Sequence, residues 1–331
     1  MKAITITQES EPIQLVDIDT PEVSGDECLV KLSASAFNRR DQWIREGMYP
    51  GIQFGTVLGS DGCGVVAEGP AAWKGKKVII NPNVDWGDNP EVQSAKYSVL
   101  GMPTNGTLAE YIKVPAHRLK EKPDHLSDEE AAALPLGGLT AFRATIKKGG
   151  AKTGKRVLVT GAGGGVSQFA ISFALAAGAE VYVTSGSEKK IERVKEAGVI
   201  GGFNYRDEKW AKEAAALGGF DAVIDSAGGN QLNNYLRIIK PAGRIVMYGS
   251  TTGYPEKVDV FRLFWSQAQI MGSTMGSDEE FVEMLDWVNK YQIKPTVDKV
   301  YELHDYLAAF DRFKAPDSFG KIVVRFQTTY I

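Results

Sequence analysis

Side chains that bind metals or form disulfides are scarce in this chain. Two cysteines, Cys28 and Cys63, and three histidines, His117, His125 and His304, serve 331 residues. A disulfide framework is thereby excluded, and the thiols read as core residues of a protein in a reducing compartment. A zinc ion needs three or four Cys, His or carboxylate ligands at about 2 Å. The three histidines stand far apart and neither cysteine belongs to a C-x-x-C pair, so no metal is expected. Long apolar runs are also missing. No stretch approaches the 18 or so apolar residues of a membrane span, and the opening Met1-Lys2-Ala3-Ile4-Thr5-Ile6-Thr7 lacks the apolar core of a secretory signal. The expectation is a soluble, cytoplasmic protein. Nor is there an excess of one charge: Lys+Arg 38 against Asp+Glu 41 leaves −3. Such a chain has no field to gather phosphate backbones or anionic lipid, so neither nucleic acid nor membrane is expected as a partner.

What is abundant is glycine, 36 residues, above the usual share of about 7% and without the Pro or Ser bias of disorder. At roughly 150 residues per domain the length suggests two domains. The first 120 or so residues hold short strand-like runs at Ala3 to Thr7, Cys28 to Ser33, Val65 to Ala67, Val78 to Ile80 and Leu108 to Val114. The texture changes at Lys122-Pro123-Asp124, where Ser127 with Glu130 forms a capping box that opens an Ala/Leu-rich helical stretch. From Arg156 on, strand-like runs (157–159, 181–183, 222–224, 244–247) alternate with amphipathic segments such as Lys189 to Glu196 and Glu208 to Leu217. That alternation predicts a parallel sheet covered by helices on both faces. A second capping box, Ser277 with Glu280, predicts a helix to about Tyr291, and Lys321 to Phe326 returns to strand character. The fold class is α/β, a β-rich domain interrupted by a doubly wound one, with the last residues rejoining the first domain.

Val157-Leu158-Val159 followed by Thr160-Gly161-Ala162-Gly163-Gly164-Gly165-Val166-Ser167 reads as a buried strand, a glycine turn and a helix start. Glycine lets the backbone approach a pyrophosphate, and a helix N-terminus offers it free N–H groups. A tight turn without ligand is the plainer alternative. The end of the next strand chooses the dinucleotide: NAD wants an acid for the ribose hydroxyl, whereas a 2′-phosphate wants hydroxyls and cations. Val183-Thr184-Ser185-Gly186-Ser187-Glu188-Lys189-Lys190 carries no acid up to 187 and offers Ser185, Ser187 and Lys190, so NADP is the expected cofactor. Glu188 and the solvated face of a helix argue the other way.

Taken with Phe37-Asn38-Arg39-Arg40-Asp41, Gly47-Met48-Tyr49-Pro50, Leu58-Gly59-Ser60-Asp61-Gly62, Leu136-Gly137-Gly138-Leu139-Thr140-Ala141, Asn204-Tyr205-Arg206, Asp225-Ser226-Ala227-Gly228-Gly229 and Met271-Gly272-Ser273-Thr274-Met275-Gly276, the glycine loop gives the chain a family likeness. It resembles the zinc-free branch of the medium-chain dehydrogenase/reductases, the quinone oxidoreductase-like and alkenal reductase-like proteins. The resemblance implies a GroES-like catalytic domain from residues 1–121 and 271–331, around a Rossmann NADP-binding domain from 122–270. It also implies a homodimer, which the runs 258–264 and 271–275 would build by pairing edge strands. Zinc-dependent relatives carry a cysteine where Asn38 stands and Gly-His-Glu where this chain has Gly59-Ser60-Asp61. The branch's signature A/G-x-x-G-x-x-G reads Gly161-x-x-Gly164-x-x-Ser167 here, and the Ser167 hydroxymethyl would either crowd the helix-to-sheet contact or point at a phosphate. By the same likeness Ser185, Lys190 and Tyr205 would surround the 2′-phosphate, with Thr140, Gly249 and Met275 near the nicotinamide.

Hydride transfer to an enone or quinone leaves negative charge on oxygen, so the site must aim donors at it. Without a metal, Asn38 and Tyr49 are the candidates; for Asn38 a helix N-cap is the competing role, and for Tyr49 packing against Pro50. Trp43, Tyr49, Trp86, Tyr97, Phe264 and Trp265 are candidates to line an apolar pocket. The expected function is a zinc-independent NADPH-dependent oxidoreductase acting on a small-molecule quinone or α,β-unsaturated carbonyl. A non-catalytic NADPH-binding redox sensor and an alcohol dehydrogenase-like enzyme are the alternatives.

Overall fold

A computed structural model describes residues 1–326. Two compact units emerge, one from Met1–Gly137 with the segment from Ser277 on, the other from Gly138–Gly276. They part later along the chain than the change of texture at Lys122. The helix Asp128–Ala133, opened by the Ser127/Glu130 capping box, packs on strands Glu27–Ala36 and Asp61–Glu68 of the first unit.

In the first unit a seven-stranded sheet joins both ends of the chain. Its order is Val297–Glu302, Lys321–Arg325, Glu27–Ala36, Asp61–Glu68, Lys77–Ile80 and Leu119–Glu121, with Tyr111–Pro115 also paired to Glu27–Ala36. Lys321–Arg325 runs antiparallel to Glu27–Ala36, with Val323 opposite Ala36 and Val324 opposite Ser35. That register carries the start of the late strand alongside Phe37 and Asn38. A short helix, Arg39–Arg45, follows, and Gly47 ends it in the left-handed region (φ +71°). Backbones cross closely here: a Cβ on Gly106 would lie 1.9 Å from the Gly59 carbonyl oxygen, so only glycine fits.

The second unit is a six-stranded parallel sheet. Its order is Gly201–Asn204, Glu180–Ser185, Arg156–Val159, Phe220–Asp225, Ile239–Met247 and Gln269–Gly272. Strand order reverses between Arg156–Val159 and Phe220–Asp225, the switch point where doubly wound sheets bind dinucleotides. Leu158, Phe220, Val223 and Ile245 are buried against Trp210, Tyr235 and Leu236. The run 258–264 is not a strand. Asp259 accepts the Arg262 N–H (3.0 Å) and caps a helix, Val260–Trp265, on which Phe261 stacks with Trp265 and meets Phe264 edge-on. The edge strand is Gln269–Gly272, and Met275 lies beyond it. No helix among the described residues is long and apolar enough to cross a membrane.

Asp221 anchors one end of this sheet. Burial pushes its carboxyl up, but the Arg156 N–H (2.9 Å), Lys240 (2.7 Å) and Lys155 (3.0 Å) outweigh that and hold it at about 2. A folded pKa below the unfolded one adds stability above about pH 4, lost as pH falls toward 2. Asp221→Asn is therefore expected to cost about 1–2 kcal/mol at pH 7, after allowing for solvent screening, and progressively less between pH 4 and 2. Urea unfolding across that range checks it; a cost that does not shrink with acid contradicts it.

Candidate active site

In the second unit the strand Arg156–Val159 ends at Thr160, and the chain turns through Gly161, which has φ +68° and so favours glycine. Gly164 is the N-cap of the helix Gly165–Ala176, leaving Val166 in its first turn with the N–H groups unpaired within the helix. Ser167 does not point at a phosphate. Its hydroxyl donates to the Thr160 carbonyl (2.8 Å) and meets the Tyr248 hydroxyl (3.2 Å), tying helix to sheet. Behind the loop the buried Asp225 accepts from Thr160 Oγ1 (2.7 Å), Tyr235 OH (2.9 Å) and the Gly228 N–H (2.8 Å). Burial and that carboxylate hold the Tyr235 phenol far above its ordinary value, and burial pushes Tyr248 up to about 12, so both remain protonated.

Lys190 reaches this loop from the helix Glu188–Lys195: a Cβ on Gly163 would lie 3.0 Å from its Nζ. At the end of strand Glu180–Ser185, Ser185 is buried and its Oγ accepts the Ser187 N–H (3.2 Å). Ser187 occupies the N-cap of the Lys190 helix, where its side chain makes no capping bond. A Cβ on Gly186 would meet Tyr205 OH at 2.7 Å and Arg206 Nε at 2.9 Å. Glu188 is drawn away by Asn204, whose Nδ2 donates to it (2.7 Å). Thus Gly163, Ser185, Ser187, Lys190 and Tyr205 come together, joined by Arg206, to which the sequence reading gave no role. Elsewhere in the unit, the Thr140 hydroxyl donates to Met275 Sδ (3.6 Å), and Met275 holds a left-handed backbone (φ +43°) that its side chain disfavours. A Cβ on Gly249 would lie 2.8 Å from the Ser226 carbonyl oxygen.

In the first unit Asn38 stands at the N-cap of Arg39–Arg45, but its side chain does not cap. Its Oδ1 accepts from Lys321 Nζ (2.5 Å) and its Nδ2 donates to Asp61 Oδ2 (2.9 Å). Lys321 also pairs with Asp61 (3.0 Å), whose other oxygen accepts the Leu136 N–H (2.7 Å). Both charges are buried, with side chains 5% and 0% exposed. Two residues on, the buried Arg40 donates through Nη1 to Ser60 Oγ and the Leu100 carbonyl (both 2.7 Å). Through Nη2 it donates to Tyr49 OH and the Met102 carbonyl (both 3.2 Å). Burial pushes the Asp41 carboxyl up, although Arg40 and the Asn38 N–H, which donates to it at 2.7 Å, draw it down. Trp86 and Tyr97 pack edge to face, and Trp86 is buried, whereas Phe264 and Trp265 belong to the exposed aromatic face of the second unit.

Two known domain families match the chain. The alcohol dehydrogenase GroES-like domain matches residues 24–124, and the zinc-binding dehydrogenase domain matches 165–290. A zinc-type alcohol dehydrogenase-like protein, YogA, of Leptosphaeria maculans is 36% identical over 95% of this chain and 94% of its own. The chain belongs to the medium-chain dehydrogenase/reductase family. A crotonyl-CoA reductase of Streptomyces avermitilis is 31% identical, covering 92% of this chain and 81% of its own. A crystal structure of an NAD-dependent alcohol dehydrogenase, 35% identical, superposes with a TM-score of 0.92 over 98% of this chain and 99% of that one.

Zinc, which one matching domain's name implies, does not fit the residues this dehydrogenase/reductase presents. Asn38, Ser60 and Asp61 are already engaged by two cations of the chain itself, Lys321 and Arg40. Among the described residues no three of His, Cys, Asp and Glu gather to hold a metal. Lys321 escaped the sequence reading because only the strand register brings it to Asn38. Arg40 carried a weak signal, two arginines and an aspartate opening a helix.

Removing the Lys321 ammonium would leave Asp61 charged, buried and unpaired, which costs about 3–5 kcal/mol. Lys321→Met is expected to lose that much stability, and Lys321→Met with Asp61→Asn to recover part of it. Denaturation of the three variants checks this; a double variant no more stable than the single one contradicts it.

Proposed function

We propose that this protein is a zinc-independent, NADPH-dependent reductase of an α,β-unsaturated carbonyl or quinone. The observation that carries the proposal is the engagement of Asn38, Ser60 and Asp61 by buried cations, which leaves a carbonyl to be polarised by hydrogen-bond donors rather than by a metal. Reduction of a conjugated alkene or quinone asks less of such donors than reduction of an isolated ketone. The crotonyl-CoA reductase among the relatives supports reduction at an alkene conjugated to a carbonyl.

The glycine turn at Gly161, Gly163, Gly164 and Gly165, with the N–H groups of the first helical turn at Val166, holds the pyrophosphate. Ser185, Ser187, Lys190, Tyr205 and Arg206 hold the 2′-phosphate, where a cation and hydroxyls replace the acid an NAD site would use. Thr140, Gly249 and Met275 border the nicotinamide. NADPH held by these residues would supply the hydride that the acceptor's β-carbon takes up. As that bond forms, the alkene pair shifts to join the α-carbon to the carbonyl carbon and the carbonyl pair moves onto oxygen, where the Tyr49 hydroxyl stabilises the charge by a hydrogen bond. The α-carbon then takes a proton from water. Asn38 is the weaker donor of the two expected, since its Oδ1 accepts from Lys321 and one Nδ2 hydrogen goes to Asp61.

The relatives named as alcohol dehydrogenases favour a second reading, oxidation of an alcohol with NAD. Stopped-flow oxidation of NADPH by trans-2-hexenal and by a benzoquinone, set against NAD reduction by primary alcohols, separates the two. The expected result is rapid NADPH oxidation, unaffected by chelator, with Lys190→Glu losing the preference for NADPH over NADH in fluorescence titration. Alcohol oxidation restored by zinc would overturn the proposal.

The edge strand Gln269–Gly272, beside exposed Val260, Phe261, Phe264 and Trp265, forms the interface of a homodimer in this proposal. Light scattering is expected to give twice the 36.0 kDa chain mass, and half that for Phe261→Asp with Trp265→Asp. A wild-type monomer would contradict it.

A further inference from the structure

We propose that Arg40 is a positioning residue that turns the Tyr49 hydroxyl proton toward the substrate oxygen. The inference rests on the reductase reading above and adds a residue to which that reading gives no task.

A guanidinium has five N–H donors and no acceptor. The direction of the bond between Arg40 Nη2 and Tyr49 OH, 3.2 Å, is therefore fixed by chemistry: the phenol oxygen accepts. Its own proton must point elsewhere, and no side chain or carbonyl among the described residues takes it. Arg40 also covers the Tyr49 ring, with Cζ 4.9 Å from the centroid, so the phenol is held by its face and by its oxygen together. Tyr49 is half-buried, whereas Arg40 is only 8% exposed. The pair thus presents a neutral donor outward, backed by a charge that stays inside.

Arg40 itself is poorly placed to touch substrate. All four Nη hydrogens are spent, on Ser60, Leu100, Met102 and Tyr49. Only Nε is left without a partner, and it is buried. Ser60 completes the clamp, since its hydroxyl accepts from Arg40 and donates to the Leu100 carbonyl (2.8 Å). The guanidinium cannot swing out without stripping the buried Met102 carbonyl of its donor and leaving the Leu100 carbonyl with Ser60 alone, which costs more than the single contact it would gain. Its influence on an enolate oxygen passes through Tyr49: accepting from a cation polarises the phenol and strengthens the hydrogen bond it gives.

The test is a double-mutant cycle with Arg40→Lys and Tyr49→Phe, using NADPH and trans-2-hexenal, with urea unfolding and NADPH titration of each variant as checks on folding. Tyr49→Phe is expected to lower kcat about 100-fold, the scale of one oxyanion donor. Arg40→Lys, which keeps the charge but not the fork, is expected to lower kcat about tenfold with the KM for NADPH unchanged. In the Tyr49→Phe background the same Arg40→Lys change is expected to alter kcat less than twofold. Equal tenfold losses in both backgrounds would overturn the positioning role while leaving Tyr49 as donor. Arg40→Lys with wild-type kcat would overturn it as well. An undiminished kcat in Tyr49→Phe would instead overturn the reductase reading's choice of donor, and the inference with it. Should Arg40→Lys unfold, Ser60→Ala, which loosens the guanidinium without removing it, is expected to lower kcat threefold or more in the wild-type background alone; no loss would overturn the proposal.

Discussion

A lysine ammonium and an aspartate carboxylate, both out of reach of water, face each other at 3.0 Å between the last strand of the sheet and the strand Asp61–Glu68. A buried ion survives only if its partner and its remaining hydrogen bonds are in place. Asp61 meets that condition with Lys321, Asn38 and the Leu136 N–H, and Lys321 meets it with Asp61 and Asn38. Much of the first unit follows from this constraint. The C-terminal strand must lie beside Glu27–Ala36 in the observed register, Asn38 must turn inward rather than cap its helix, and both oxygens of Asp61 are already engaged by donors of the chain itself.

Arg40 extends the same logic one layer outward. Its Nη groups gather the Leu100 and Met102 carbonyls and the Ser60 and Tyr49 hydroxyls around one cation, so the segment 100–102 and the start of the Arg39–Arg45 helix are held together by charge-assisted bonds. Two positive groups, each locked by its own set of acceptors, engage Asn38, Ser60 and Asp61. In the proposed chemistry this leaves the polarisation of the substrate to a phenol. The second unit solves a separate problem with separate means: backbone freedom at Gly161, a free helix start at Gly165, and cations and hydroxyls clustered around Gly163 and Gly186.

Periodicity and local chemistry made a large part of this legible in the sequence. The alternation after Arg156 gave the parallel sheet, and the two Ser/Glu capping boxes marked helix starts that the structure has, because such signals act over three or four residues. The glycine turn and the Ser185 to Lys190 segment were readable for the same reason. Signals that depend on residues hundreds of positions apart were not. Nothing near Lys321 announces that Asn38 will meet it, and Arg206 gains meaning only when Gly186 is beside it. The run 258–264 looked like an edge strand because its apolar residues are dense; Asp259 as an N-cap and the i, i+3, i+4 spacing of Phe261, Phe264 and Trp265 made it helical instead.

The chemistry itself can be followed atom by atom. Protein dialysed against chelator and verified metal-free is mixed with NADPH carrying deuterium at the transferable C4 position and with trans-2-hexenal, and the product is examined by NMR. Deuterium on the β-carbon at a rate that added zinc does not change is the predicted result. Label absent from the product, or present only after zinc is restored, would contradict a hydride transfer assisted by the chain's own side chains.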